Sequence, residues 1–401
     1  MGQVRRQRED DVKARLVCAL VGALLLCGTA TAGGQLRDIN GYRVLSVQGS
    51  PREMGLQHGT LLADDVRRVV QDVVVKGAGA YGLEGLLAGA DVMERFLPGD
   101  IREELQGLAE AAKVDYRQLV ALQLFGDVRR GAACTSYAVF GPATATGELI
   151  AGRNMDYWDY GASEYAAILL HSKPRDGHEF ITCSWAGIIN GWTALNDAGV
   201  VCSNNSAYGG EDSLRGLSTC FMVRKVAQFA GSVEDGIGIV EATSRACGTN
   251  LLIAGGDPPD AAIVEYDHTR LAVRRAHDGY VAADNSFVAL GSAGASEPSE
   301  WSRHGTLLEL IRGAYGRIDR TMNFAAAQGV PIRSMNLHSA LVFPRDRVMY
   351  VSMGKAPAAD QPYHGYRLTA GGVIGLDTRQ DSSGPADVDE DPVPIGAGGT
   401  E

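Results

Sequence analysis

The sequence has no surplus of positive charge. Its 37 Lys and Arg residues stand against 48 Asp and Glu residues, which gives a net charge of −11. No basic stripe with interleaved aromatic residues occurs, so the composition argues against a nucleic-acid partner. Part of the negative charge lies after residue 378 among Pro, Gly and Ser, and we predict a disordered acidic tail over 379–401.

Long hydrophobic runs are also absent, except near the N terminus. Basic residues precede the apolar run 16–26, and Ala30-Thr31-Ala32 follows it as a small-x-small cleavage site. The run is too short to span a bilayer well. We therefore predict a signal peptide over 1–32, export to the periplasm or the medium, and no stable membrane span after its removal. An uncleaved anchor and a lipoprotein leader are the alternatives.

Cysteine and histidine are too sparse to indicate a metal site. The seven cysteines form no CxxC pair and the eight histidines are scattered, so we expect no metal and no cofactor. Without the leader five cysteines remain: Cys134, Cys183, Cys202, Cys220 and Cys247. An odd number in an oxidising compartment leaves one thiol unpaired. The other four form either two disulfides or buried thiols.

The pattern of apolar residues divides the chain into a helical and a strand-rich part. Helical spacing holds over 50–130, where Ser50 and Glu53 form a capping box at the first helix. From residue 134 strand-length segments dominate, including one at 287–290, and helices interrupt them at 217–229, 233–244 and near 301–314. This order predicts an α+β fold with two sheets covered by helices.

The most informative stretch surrounds a cysteine and two charged residues that lie one hairpin away. Cys134-Thr135 follows three small residues, and Gly152-Arg153-Asn154-Met155-Asp156 comes after a turn-rich segment. Strands paired about residue 144 would place Cys134 opposite residue 154, with Arg153 and Asp156 within reach of the sulfur. A thiol beside a guanidinium is biased toward the nucleophilic thiolate. A buried small cysteine beside a structural ion pair is the alternative.

This block resembles the signature of the choloylglycine hydrolase and penicillin acyltransferase superfamily of N-terminal-nucleophile hydrolases. The segment 49–59 is similar to the opening of its peptidase C45, acyl-CoA:6-aminopenicillanic acid acyltransferase-like branch, and the resemblance covers about 40–370. It implies a four-layer αββα sandwich over 134–378 and self-cleavage before the nucleophile. It also implies that the helical N-terminal segment 33–133 is a propeptide or a small subunit.

A cysteine at a new N terminus would carry both nucleophile and base. An α-amino group has a pKa near 8, and no histidine accompanies the Cys134 block. We expect Asp156 to orient the α-ammonium and Arg153 to favour the thiolate. Loss of either side chain should reduce turnover with little loss of stability. His58, on the first amphipathic helix, is interpreted as a structural residue.

Three further residues enter the predicted site through the resemblance. Asn204 and Asn205 end a segment similar to the one that closes on an active-site asparagine, and we favour Asn204. Asn285 resembles the second family asparagine, although Asp284 stands where Thr is more usual. Arg303, at a helix start, resembles the family arginine near the nucleophile. Ordinary loop asparagines and an exposed helix-start arginine are the alternatives.

These features predict a self-processing cysteine amidohydrolase that cleaves a small-molecule N-acyl amide through an acyl-thioester. The cleaved chain is expected to remain a two-chain heterodimer. The alternatives are a phospholipase B-like lipid ester hydrolase, an acyltransferase to an amine and a non-catalytic envelope-binding protein. Several aromatic residues either line a substrate pocket or belong to the core: Tyr157, Trp158, Tyr160, Trp185, Trp192 and Tyr208.

Overall fold

The structure is a computed structural model that describes residues 33–79, 82–291, 303–320 and 331–376. The predicted signal peptide over 1–32 and the predicted acidic tail over 379–401 lie outside the described residues. In the described part of the chain no helix is long and apolar enough to cross a membrane.

The first part of the described chain contains two strands, a group of helices and a hairpin. These elements are β1 (Gln35–Ile39), β2 (Tyr42–Gly49), α1 (Pro51–Leu61), α2 (Ala63–Val69), a π-helix (Val70–Lys76), α3 (Gly82–Glu94), α4 (Gly99–Ala112), α5 (Tyr116–Arg129), β3 (Ala133–Gly141) and β4 (Gly147–Asp156).

The second part alternates between strands and helices. Its elements are α6 (Ser163–Ala166), β5 (Ala167–Pro174), β6 (Phe180–Trp185), β7 (Thr193–Asn196), β8 (Val200–Ser206), α7 (Thr219–Phe229), α8 (Val233–Glu241), β9 (Thr249–Gly255), β10 (Asp260–Tyr266), β11 (Leu271–Arg275), β12 (Tyr280–Ala283), α9 (Arg303–Gly313), β13 (Asn336–Phe343), β14 (Val348–Met353), β15 (His364–Thr369) and β16 (Gly372–Gly375). Short 3-10 turns lie at Arg333–Met335, Pro344–Asp346 and Ala358–Asp360.

Two sheets pack face to face between helices. The nine-stranded sheet has the order β1-β2-β5-β6-β7-β8-β9-β10-β11, and the seven-stranded sheet has the order β12-β3-β4-β13-β14-β15-β16. Strands β3 and β4 contact β8 across the interface, α7 and α8 cover the larger sheet, and α9 contacts β12 of the smaller sheet. This arrangement confirms the predicted α+β fold with four αββα layers.

The segment 33–133 is helical from Pro51 to Arg129, as predicted, but it begins with two strands that the sequence analysis did not find. Strand β2 pairs in parallel with β5, so β1 and β2 form one edge of the larger sheet. The predicted capping box is present, since the Glu53 carboxylate accepts from Ser50 N at 2.7 Å. Helix α1 packs closely on α4 because Gly55 has no side chain to meet the carbonyl of Glu104.

The prediction of a strand at 287–290 is wrong. The preceding segment forms β12, and the chain then bends instead of extending. The buried carboxylate of Glu265 explains the bend, because it accepts hydrogen bonds from the backbone N–H groups of Val288, Ala289 and Leu290. Backbone N–H groups that all donate to one carboxylate cannot also donate to a neighbouring strand.

A buried ion pair joins the N-terminal helices to the helix layer over the larger sheet. The Arg224 guanidinium on α7 donates to both carboxylate oxygens of Glu104 on α4, at 3.1 and 2.5 Å, and both side chains are 2% exposed. Arg224 also donates to Ile189 O at 2.7 Å. The segments on either side of Cys134 therefore share a pair of buried charges.

We expect Glu104→Ala to lower the free energy of unfolding by about 3–5 kcal/mol, because it leaves the Arg224 charge buried without its partner. Glu110, on the same helix, pairs with Arg52 at the exposed surface. Its replacement by Ala is the matched control and should change stability by about 1 kcal/mol or less. Denaturant unfolding compares the two, and equal losses would contradict the role of the buried pair.

Candidate active site

Cys134 lies at the start of β3 and is almost fully buried, with 2% of its surface exposed. It pairs with Met155 on β4, one residue from the expected position 154. Arg153 pairs with Ser136 and therefore shares a face of the sheet with Cys134, whereas Asp156 pairs with Ala133 and lies on the opposite face. The two charged residues thus leave β4 in opposite directions.

The residues just before Cys134 turn sharply and are held by two side chains. Arg130 and Gly131 both have positive φ values, 54° and 96°, and the second position suits a residue without a Cβ. The Tyr208 hydroxyl accepts from Gly131 N at 3.1 Å and donates to Ala132 O at 2.7 Å. Asn285 Nδ2 also donates to Ala132 O, at 3.3 Å. This clamp by Tyr208 was not predicted.

Three of the predicted site residues form a chain of hydrogen bonds that ends at the nitrogen of Cys134. Cys134 N donates to Asn285 Oδ1 at 2.8 Å, and Arg303 Nη2 donates to the same oxygen. Arg303 Nη1 donates to Asp156 Oδ2 at 2.8 Å. Asp156 therefore reaches the Cys134 nitrogen through Arg303 and Asn285, whereas the sequence analysis expected a direct contact.

Asp156 is buried but well supplied with donors. Besides Arg303, Ile332 N donates to Oδ2 at 2.9 Å and Asn336 Nδ2 donates to Oδ1 at 3.0 Å. Burial raises the pKa of Asp156, and these donors oppose that rise. The carboxylate serves as the anchor that holds Arg303 in place.

Arg153 is buried and bonded to backbone carbonyls. Its Nη2 donates to Asn204 O at 2.6 Å and its Nη1 donates to Asn154 O, while Nε has no hydrogen-bond partner among the described residues. The guanidinium therefore ties β4 to β8 across the two sheets. This makes it structural as well as a candidate for the chemistry.

The expectation that loss of Arg153 would spare stability does not fit this burial. We expect Arg153→Ala to lower the free energy of unfolding by about 3 kcal/mol, because it leaves the buried carbonyl of Asn204 without its charged donor. Arg153→Met, which keeps the length of the side chain, separates lost volume from the lost bond. Denaturant unfolding measures both, and an unchanged midpoint in each variant would contradict the structural role.

Asn204 and Asn205 occupy different environments. Asn204 lines a cavity together with Cys134 and has its Nδ2 at 3.4 Å from Thr219 Oγ1. Asn205 Nδ2 instead donates to Ser136 Oγ at 2.7 Å, between the two sheets. Asn204, which the sequence favours, therefore lines a cavity with Cys134, and Asn205 does not line it.

Two cavities adjoin near Cys134, which lines the smaller one. The smaller one, about 360 Å³, is lined by Phe125, Gly126, Ala132, Cys134, Met155, Tyr157, Trp192, Asn204, Ser206, Thr219 and Cys220. The larger one, about 400 Å³, shares four of these residues and is lined by Val69, Val73, Phe125, Met155, Tyr157, Trp158, Asp159, Tyr160, Ala162, Ser163, Trp185, Ile188, Trp192 and Leu337. Five of the six aromatic residues considered in the sequence therefore line a cavity, and Tyr208 contacts the turn before Cys134.

The other titratable candidates are structural. His58 is buried, its Nε2 accepts from Gly187 N at 2.9 Å, and burial lowers its pKa to about 3, which confirms the structural interpretation. Cys183, Cys202, Cys220 and Cys247 are buried free thiols, so the alternative of two disulfides is not realised. Among the described residues no cluster of His, Cys, Asp and Glu is suited to hold a metal ion.

Comparison with known proteins gives three curated relatives of low identity, two of which illustrate the match. The chain is 26% identical over 305 residues to an uncharacterized protein of Archaeoglobus fulgidus, covering 64% of this chain and 51% of that protein. It is 23% identical over 356 residues to protein dcd1A of Dictyostelium discoideum, covering 79% of each. The chain thus spans about half the length of the archaeal relative.

Three solved structures are also similar to this chain. A Caenorhabditis elegans ortholog of N-acylethanolamine-hydrolyzing acid amidase has 16% identity, covers 53% of this chain and 93% of its own, and has a TM-score of 0.41. A mutant conjugated bile acid hydrolase from Clostridium perfringens has 12% identity, coverages of 62% and 93%, and a TM-score of 0.41. Penicillin V acylase from Agrobacterium tumefaciens has 13% identity, coverages of 59% and 91%, and a TM-score of 0.39.

A family match covers more than half of the chain. The sequence pattern of acyl-coenzyme A:6-aminopenicillanic acid acyl-transferase matches residues 143–356. This range begins after Cys134, so the family match does not include the cysteine, and its role is assigned from the residues around it. The match nonetheless identifies the branch that the Cys134 block and the segment 49–59 resemble: the chain belongs to the acyl-coenzyme A:6-aminopenicillanic acid acyl-transferase family.

Proposed function

We propose that the protein is a self-processing cysteine amidohydrolase that cleaves a linear N-acyl amide. The observation that carries this proposal is the hydrogen bond from Cys134 N to Asn285 Oδ1, the same oxygen to which Arg303 donates. A residue that supplies both nucleophile and base needs its nitrogen held as well as its sulfur. The adjoining apolar cavity supplies room for an acyl group.

The first reaction is self-cleavage. Cys134 Sγ attacks the carbonyl carbon of Ala133, the bond from that carbon to Cys134 N breaks, and the nitrogen takes up a proton. Water then hydrolyses the resulting thioester and leaves a carboxylate on Ala133 and a free α-amino group on Cys134. Tyr208 and Asn285 support this step, because both hold the Ala132 carbonyl next to the reacting bond.

The second reaction is turnover of the substrate. The α-amino group accepts the thiol proton, Sγ attacks the acyl carbon, and the amine leaves with that proton. Water hydrolyses the acyl-thioester in turn. Asn204 lines the same cavity as Cys134, and its Nδ2 is the proposed donor to the tetrahedral oxyanion.

The lining of the larger cavity favours an apolar acyl group. Among the described residues that line it, Asp159 carries the one charged side chain, and the rest are mostly aromatic or aliphatic. Val69, Val73 and Phe125 come from the segment before Cys134. We therefore propose that this segment stays bound after cleavage as the smaller subunit. From the apolar run 16–26 and the small-x-small site that follows it, we also propose that the chain is exported.

A panel of matched N-acyl amino acids and phospholipids tests the proposed activity. We expect release of fatty or aromatic acids from the amides, with a rate that rises with pH through a pKa at or below about 8. EDTA should leave the rate unchanged. Fatty acid release from phospholipids alone would instead identify a lipid esterase.

Acyl transfer is the second candidate, because the matched family is described as an acyl-transferase. The acyl-thioester would then pass its acyl group to an amine in place of water. Turnover in the presence of a nucleophilic amine distinguishes the two outcomes. A new amide in the product identifies transfer, and free acid alone identifies hydrolysis.

A further inference from the structure

Asp284 stands where the family resemblance leads one to expect Thr, and its carboxylate has two backbone partners. Oδ1 accepts from Ser286 N at 2.8 Å and closes a turn around Asn285. Oδ2 accepts from His304 N at 3.2 Å, in the first turn of α9. The side chain is 6% exposed, so these bonds form away from solvent.

The residues that Asp284 binds adjoin Asn285, which accepts from the Cys134 nitrogen, and Arg303, which donates to Asn285. Asn285 follows it in sequence, and Arg303 precedes the residue whose amide it binds. A carboxylate at the start of a helix also complements the positive end of the helix dipole. One side chain thus joins the turn that carries the Asn285 amide to the helix that carries the Arg303 guanidinium.

The turn around Asn285 has other support, whereas the backbone link to α9 comes from the carboxylate. Asn250 Nδ2 donates to Asp284 O at 3.0 Å and to Ser286 O at 2.8 Å. Tyr208 N donates to Asn285 O at 3.1 Å. Loss of the Asp284 carboxylate therefore leaves the turn held and removes the hydrogen bond that ties it to the His304 amide, while the Arg303 side chain still reaches Asn285.

We propose that Asp284 is a positioning residue that sets Arg303 against Asn285 and thereby places the Cys134 nitrogen for proton transfer. This inference rests on the proposed function, in which that nitrogen takes up a proton in both reactions. The carboxylate does not touch the reacting atoms, and the turn around Asn285 has other support, so its effect is assigned to Arg303. A dependence on Arg303 distinguishes this role of Asp284 from a general contribution to stability.

The test compares Asp284→Ala with Asp284→Asn and Asp284→Thr, which keep an acceptor oxygen. Asp115→Ala is the matched control, because Asp115 caps α5 by accepting from Gln118 N at 2.9 Å, at the end of that helix remote from Cys134. Intact mass measures the rate of self-cleavage, and hydrogen exchange measures protection of the His304 amide. We expect Asp284→Ala to slow cleavage at least about tenfold and to lose that protection. Asn and Thr should restore most of both, and the control should change neither.

A double-mutant cycle shows whether the effect passes through Arg303. In an Arg303→Ala background, Asp284→Ala should slow the residual cleavage by no more than about threefold, because coupled residues are not additive. The inference would be overturned if the losses in cleavage rate of the two single variants multiplied in the double variant, as for independent sites. It would also be overturned if Asp284→Ala cleaved at the wild-type rate. If the wild-type chain does not cleave, the proposed function fails. Amide exchange then still decides whether Asp284 holds the start of α9, and unchanged protection overturns that part.

Discussion

Replacement of Cys134 by Ala should abolish both self-cleavage and turnover. The thiol is the one group in the site proposed to form the covalent bond, and Ala removes it while keeping the backbone N–H that donates to Asn285. The variant should therefore fold and remain a single chain. Intact mass and an amide-hydrolysis assay measure the two losses.

Cys202→Ala is the matched control for this experiment. Cys202 is also a buried free thiol, but it lies on β8 and lines neither of the two cavities. It should cleave and turn over substrate normally. Loss of activity in Cys202→Ala with retention in Cys134→Ala would show that the wrong cysteine had been assigned as the nucleophile.

Asn285→Ala should reduce self-cleavage and turnover by about a hundredfold or more. The substitution removes the acceptor shared by the Cys134 N–H and Arg303, and it also removes a donor to the Ala132 carbonyl. Losses of this size are typical when a positioned group of an active site is deleted. Single-turnover and steady-state rates on matched substrates measure the effect.

Asn205→Ala provides the comparison for this loss. Asn205 is a buried asparagine bonded to Ser136 Oγ and Ala283 O, so its removal lowers stability without touching the Cys134 nitrogen. We expect its rate, measured well below its unfolding midpoint, to stay within about threefold of the wild type. A larger effect for Asn205 than for Asn285 would mean that the resemblance had been placed in the wrong register.

The local part of the site could be predicted because a hairpin determines its geometry. One turn separates β3 from β4, so the spacing of Cys134 and Arg153 specified their pairing to within one residue. The same spacing also predicts on which face of β4 each side chain lies. Strand alternation separates Arg153 from Asp156, and the expectation that both reach the sulfur overlooked this rule.

The long-range part could not be predicted from spacing. Arg303 reaches Asp156 and Asn285 from α9, and no local pattern specifies where a helix will pack. The resemblance alone brought these residues together. The bend at 287–290 has a similar cause. The apolar stretch predicts a strand, but its backbone N–H groups donate to the distant carboxylate of Glu265, which no local pattern indicates.

The central claim is that Cys134 becomes the N terminus of a working subunit. Intact mass and N-terminal sequencing of the purified wild-type protein test it most directly. We expect two copurifying chains that correspond to about 33–133 and 134–401, the larger beginning at Cys134. A single uncleaved chain with full amidase activity would contradict the mechanism.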